Sequence, residues 1–198
     1  MTTAGSFGHA QRLRKPRIEP VKKESWTAEQ RTLMEPLEKA GRLYNVFSTM
    51  ANHTALASTW MIFATHVLRR NSLPPRDREI LILRIGWLCH SEYEWAQHVR
   101  IGKTEGLTDD DIRRIAAGPG GPGVGDHDRL LLEAADELHT SAFISDATWN
   151  ALAKSYDTRQ MMDLVFTVGQ YNLVSMALNS FRVERDDGVT GVPMPARD

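Results

Sequence analysis

Apolar positions in this chain recur three and four residues apart and almost nowhere alternate. Leu43, Val46, Phe47 and Met50 form one such stripe, and Leu56, Trp60, Phe63, Ala64 and Val67 form the next, each marking the buried face of a helix. Caps and turns divide the stripes. Thr27-Ala-Glu-Gln30 has the capping-box pattern and opens a helix over residues 28–39, which Gly41 stops. The second helix ends near Asn52-His53, and Asn71-Ser-Leu-Pro-Pro75 closes the third. Pro75, followed by Arg-Asp-Arg-Glu79, suits the first turn of a fourth helix, where the missing proline N–H costs nothing and carboxylates meet the positive helix end.

The fourth helix runs on through Ile80–Leu88, ILILRIGWL, apolar nearly all round, so it belongs in the middle of a bundle or at a subunit interface. Ser91-Glu-Tyr-Glu94 is a further capping-box pattern and starts a fifth helix that ends at Gly106. Thr108-Asp-Asp-Asp111 caps a short sixth, ended by Gly118-Pro-Gly-Gly-Pro-Gly123, the best linker in the chain. Leu131, Leu132, Ala135 and Leu138 stripe a helix over Asp128–Thr140, and Ser145 opens another through Leu152. Asp157-Thr-Arg-Gln160 caps a long last helix, with Met161, Leu164, Val165, Val168, Tyr171, Leu173 and Met176 expected on its buried side. The pattern predicts an all-α, single-domain helical bundle over residues 25–185. Residues 1–24 read as a flexible N-terminal arm, and residues 186–198 as a C-terminal tail that frays from Asp186. Both halves repeat an acidic turn, an apolar helix and a capped short helix, leaving an ancestral duplication open.

Composition narrows the class. The chain has 198 residues, 41% apolar and 25% charged, as in ordinary globular proteins, and a formal charge of -1 gives no electrostatic footprint for nucleic acid. A single cysteine, Cys89, excludes an intramolecular disulfide and fits a reducing compartment. No apolar run nears the roughly 20 residues of a membrane helix, and Met1–Lys23 lacks a signal-peptide core, so the expected location is cytoplasmic.

Candidate chemistry concentrates between Arg76 and Gly106. Glu94 and His98 are four apart and share a helix face, with Tyr93 and Gln97 on the neighbouring one. Glu79 precedes Ser91 by 12 residues, about 18 Å of helix, so antiparallel packing of the two helices carries it level with His98. A carboxylate on one imidazole nitrogen fixes the tautomer and raises the basicity of the other, which is how a general base near neutral pH is built. Purely local roles compete: glutamate is common at the third position of a capping box, and Glu79 has arginines 76, 78 and 84 nearby for an ion pair. No metal is expected. His90 and His98 on one helix would stand about 12 Å apart, and no further ligand joins Glu94 and His98 except Glu79. Cys89 follows an apolar run and reads as a buried, inert thiol, and His53, His66, His127 and His139 as surface or capping residues.

At these residues the chain resembles the carboxymuconolactone decarboxylase and alkylhydroperoxidase D superfamily. The peroxidase branch spaces Glu, Cys, Cys and His as Glu79, Ser91, Glu94 and His98 are spaced here, with both cysteines replaced. LPPRDREILILR, SEYEWAQH, EGLTDDDI and VGQYNLVSMALN extend the resemblance over residues 43–183. It implies a helical domain of the alkylhydroperoxidase D-like type and a closed homo-oligomer with sites near subunit interfaces. Ser91 and Glu94 cannot cycle as thiols, so two-cysteine peroxidase chemistry is disfavoured.

The decarboxylase branch, by resemblance, needs no cofactor and acts on a small cyclic lactone acid by proton transfer. The leading expectation is therefore a cofactor-independent acid/base enzyme. His98 would be the base or acid, Glu79 its orienter and Glu94 a second proton carrier. Tyr93 or Tyr171 would donate to a developing enolate, Arg78 or Arg84 would hold a substrate carboxylate, and Ser91 is a further substrate contact. The alternatives are a non-catalytic helical oligomer that binds a small ligand, and a residual hydroperoxidase through Cys89. Homo-oligomerisation is expected from helix 80–89 and from Trp60, Trp87, Trp95 and Trp149.

Overall fold

The structure is a computed structural model that describes residues 15–189. Its helices are α1 (Ala28–Lys39), α2 (Asn45–Met50), α3 (Thr54–Arg69), α4 (Pro75–Leu88), α5 (Glu92–Thr104), α6 (Asp109–Ala117), α7 (Asp126–Ser141), α8 (Asp146–Leu152) and α9 (Thr158–Phe181). Among the described residues no strand forms, and the all-α expectation holds. The capping boxes at Thr27, Thr108 and Asp157 all close, each cap side chain taking the N–H three residues on.

Helix α4 is the axis of the bundle. Every residue from Asp77 to Trp87 is buried, because α5, α6, α7 and α9 all pack on it. Its all-round apolar sequence is thus spent inside its own chain. Trp87 and Trp95 go the same way, their rings 5.4 Å apart in the core. Arg84 crosses from α4 to grip α7 and the end of α6. It forks onto Asp136 at 2.5 and 2.8 Å and donates to the carbonyls of Ile115 and Ala116. The glycine-proline stretch seats this guanidinium: Gly118 has φ +89°, and a Cβ there would lie 2.7 Å from Arg84 Nη2.

Two expectations are corrected. Leu173 and Met176 do not lie on the buried side of α9; they are 51% and 55% exposed. The inward face uses Met161, Leu164, Val168, Tyr171, Val174 and Leu178, and tolerates Thr167, Gln170 and Ser175 among them, so polarity misled the phase of the stripe. Met162, Phe166, Leu173 and Met176 form an outer apolar stripe instead, which Phe63 of α3 joins by an edge contact with Phe166. Asp186, the expected start of a frayed tail, is held firmly. It accepts from Asn45 N, Tyr93 Oη and Gln97 Nε2 at 2.5–2.6 Å. At the other end, Arg17 N donates to Phe181 O and Val21 N to Ser48 O. Residues 1–14 of the arm and 190–198 of the tail lie outside the described residues.

Candidate functional site

Helices α4 and α5 run antiparallel from the elbow at Cys89–Ser91. The helices lie in contact at two glycines: a Cβ on Gly86 would meet Glu94 Cβ at 3.6 Å, and one on Gly102 would meet Glu79 Cβ at 3.7 Å and crowd Leu107 Cδ1 at 2.8 Å. This pairing of near end with near end and far with far delivers Glu79 to His98. His98 Nδ1 and Glu79 Oε2 are 2.7 Å apart, and His98 Nε2 lies 3.5 Å from Glu94 Oε2. The imidazole therefore stands between two carboxylates, one gripping it by hydrogen bond and one within proton-relay reach. Tyr171 of α9 closes the set, its ring edge-on to the imidazole at 4.8 Å.

The capping box expected at Ser91 does not form. Ser91 N is already bonded to Gly86 O at 2.9 Å, so Glu94 has no cap to close and turns toward His98. Ser91 itself is fully buried, and its hydroxyl has no hydrogen-bond partner.

Burial dominates the electrostatics. Glu79 is 0% exposed, His98 4% and Glu94 6%. Burial, with the nearby Glu79 charge, pushes the Glu94 carboxyl above its ordinary 4.5, and the imidazole only partly offsets this. Burial works against charging His98, but the charge and hydrogen bond of Glu79, then the charge of Glu94, outweigh it and lift the imidazole above 6.5. Tyr171 is held well above 10 by burial and by the same two carboxylates. The three groups together favour a proton kept on the His98/Glu94 pair.

The other residues singled out in the sequence divide. Arg78 Nε donates to Glu79 Oε1 at 3.1 Å and Nη2 lies 3.7 Å from Glu105, so it braces the orienting carboxylate. Arg84 is turned to Asp136 and the α6 carbonyls, and the structure does not bring it to His98. Tyr93 donates to Asp186 rather than toward the imidazole. Sequence reasoning missed Asp186, which ties the Tyr93/Gln97 face of α5 to the C-terminal segment; an isolated aspartate in an aperiodic tail carries no signal for this. It also missed Asp77, His127 and Tyr156. Tyr156 Oη and His127 Nε2 both reach Asp77 Oδ2, at 2.5 and 3.1 Å. A hollow of about 70 Å³ lies elsewhere, lined by Pro16, Ile18, Pro20, Asn45, Thr49, Val183 and Glu184. Among the described residues no group of three or more His, Cys, Asp or Glu side chains is arranged to hold a metal ion.

Fold and centre together define an all-α bundle of the alkylhydroperoxidase D-like fold with a buried histidine–carboxylate set at its middle. Residues 54–137 match the Carboxymuconolactone decarboxylase family, which agrees with the resemblance of the sequence to the carboxymuconolactone decarboxylase and alkylhydroperoxidase D-like superfamily. No curated protein matches the sequence. Solved structures share the fold. An alkylhydroperoxidase AhpD core, an uncharacterized peroxidase-related protein from Ralstonia eutropha JMP134, has a TM-score of 0.76 at 16% identity over 88% of this chain and 94% of its own. A peroxidase-related protein from Silicibacter sp. TM1040 gives 0.74 at 15% identity over 88% and 96%. The debrominase Bmp8 in complex with 2,3,4-tribromopyrrole gives 0.71 at 11% identity over 87% and 92%.

Proposed function

We propose that this protein is a cofactor-independent acid/base enzyme, a decarboxylase-like lyase acting on a small carboxylated or lactone substrate. The observation that carries this reading is the His98 imidazole held at 2.7 Å by Glu79 and facing Glu94 at 3.5 Å. Glu79 fixes the ring, and Arg78 fixes Glu79. His98 and Glu94 then share the proton that moves. In a decarboxylation the C–C bond to the carboxylate breaks, CO₂ leaves, and the electron pair delocalises onto the neighbouring carbonyl. Glu94, kept protonated by its burial, returns a proton to carbon, and His98 reloads it. In this reading the Tyr171 hydroxyl donates to the developing enolate.

The test is His98→Gln, which keeps a polar side chain but removes the ionisable ring, assayed on a panel of carboxylated lactones. Turnover should fall about 10²- to 10⁴-fold with the far-UV spectrum unchanged. Undiminished turnover would rule out the role.

The depth of burial favours a second reading, a non-catalytic helical oligomer in which Glu79 and His98 are a structural pair. At 0% and 4% exposure, neither meets a substrate unless neighbouring side chains move. An NMR titration separates the two: a working base shifts with ligand, whereas a structural histidine stays in one state. Thiol peroxidase chemistry is disfavoured, since burial pushes the Cys89 thiol up to about 11 and no second cysteine exists to resolve a disulfide. We place self-association on the outer face of α3 and α9, where Leu56, Ile62, Phe63, Phe166, Leu173 and Met176 are exposed, rather than on α4.

A further inference from the structure

We propose that Cys89, His139 and Asn172 form a second site, apart from the His98 centre, that binds one thiophilic d¹⁰ cation, Zn(II) or Cu(I). The three side chains converge from three helices: Cys89 caps α4, His139 lies in the last turn of α7, and Asn172 stands midway along α9. Cys89 Sγ is 3.0 Å from Asn172 Oδ1 and 3.9 Å from His139 Nδ1, and His139 Nδ1 is 3.3 Å from Asn172 Oδ1. The circle through a triangle with those sides has a radius of about 2.0 Å. Zinc bonds imidazole nitrogen at about 2.0–2.1 Å and thiolate sulfur at about 2.3 Å, so one point lies at or just inside bonding distance of all three donor atoms. Thiolate and imidazole together select Zn(II) or Cu(I) over hard cations.

A second observation points the same way. Ser175, one turn beyond Asn172 on α9, is 0% exposed, and its hydroxyl has no hydrogen-bond partner of ordinary geometry. Its hydroxyl lies beside the Cys89 sulfur. The Cys89 thiol donates to Asn172 Oδ1, which leaves the Ser175 hydroxyl without a strong acceptor. A metal-bound thiolate would give it one, in the manner of the outer hydrogen bonds that steady metal ligands. The frame is preorganised, because Cys89 N donates to Ile85 O at 2.9 Å and Asn179 Nδ2 to Cys89 O at 2.8 Å. Access is open: His139 is exposed and Cys89 half-buried, so water can supply a fourth ligand. Binding exchanges the S–H bond for an S–metal bond and releases one proton, so affinity rises with pH.

The experiment titrates the reduced full-length chain with Zn(II), and separately with Cu(I) under anaerobic conditions, each against a chromophoric chelator. One equivalent of at least one ion should bind, and the tighter ion identifies the occupant. Cys89→Ser should abolish uptake and His139→Ala should weaken it at least tenfold, while His127→Ala leaves it unchanged. X-ray absorption at the metal edge should show one sulfur and one imidazole nitrogen per metal. Failure of both ions to bind stoichiometrically would overturn the site. So would uptake unchanged in His139→Ala, a surface variant that circular dichroism should show folded, or two sulfurs per metal, which would mean bridged chains.

Discussion

Two histidine–carboxylate–tyrosine sets grow from the first turns of α4, and they differ in depth rather than in chemistry. Glu79 holds His98 with Tyr171 against the ring, and Asp77, two residues earlier, holds His127 with Tyr156 donating to the same carboxylate. The His98 side chain is 6% exposed and that of His127 is 47% exposed. Around His98 a second carboxylate, Glu94, is added and solvent is removed, so protonation of one group governs the others. Around His127 water can screen and replace each partner. Depth therefore separates a buried set of coupled titratable groups from a tie between α4, α7 and the loop carrying Tyr156.

The comparison breaks most sharply on deletion of each orienting carboxylate. Glu79→Ala strands a buried imidazole and Arg78 without their common partner, and should cost about 3–5 kcal/mol in denaturant unfolding. Asp77→Ala leaves His127 facing water and the Tyr156 hydroxyl with only its 3.3 Å contact to His127 Nε2, so about 1–3 kcal/mol is expected. Equal losses would mean that depth does not distinguish the two sets.

Next in size is the pH dependence of stability. His98 is raised above its unfolded value of 6.5, so the stability it contributes is fully present below 6.5 and is lost as pH rises through the folded value. Glu94 is raised above 4.5, so the stability of its protonated form is fully present below 4.5 and is lost as pH rises from there through the folded value, in the same direction. The melting temperature of the wild type should therefore fall as the pH is raised from about 4.5 upward, Glu94 acting first and His98 adding to the fall above about 6.5. Glu94→Gln keeps the shape without the ionisation, so it should flatten that fall and melt higher than wild type at alkaline pH while losing turnover. A variant that melts lower than wild type there would show that the His98–Glu94 attraction outweighs the burial of the charge.

Much of this architecture was legible in residue spacing. Each closed capping box was written as a polar residue followed three later by Gln or Asp, and the antiparallel elbow placed Glu79 beside His98 across nineteen residues. The Ser91 box has the same local signature and fails, because the tight elbow commits its backbone N–H to Gly86. Local pattern cannot see that competition. The outward turn of Leu173 and Met176 was illegible for a related reason: Thr167, Gln170 and Ser175 are buried in their place, and polar residues inside a helix interface break the period that hydrophobicity alone would draw. Contacts such as Asp186 with Tyr93, or Cys89 with His139, join segments from 50 to 93 residues apart. They depend on tertiary packing that no single helix encodes.

The smallest change that still tests the comparison removes one hydroxyl from each set. Tyr156→Phe deletes the donor to Asp77 but leaves His127 as its partner, so about 1 kcal/mol of stability should be lost, with turnover unaffected. Tyr171→Phe keeps the ring that packs edge-on against His98 at 4.8 Å, so stability should change less than in Tyr156→Phe. If its hydroxyl is the enolate donor, turnover should instead fall about 10²- to 10³-fold. The two variants should then show opposite profiles, one in the melting curve and one in the rate. A Tyr171→Phe protein with full activity would move the donor role elsewhere and leave Tyr171 as a packing residue.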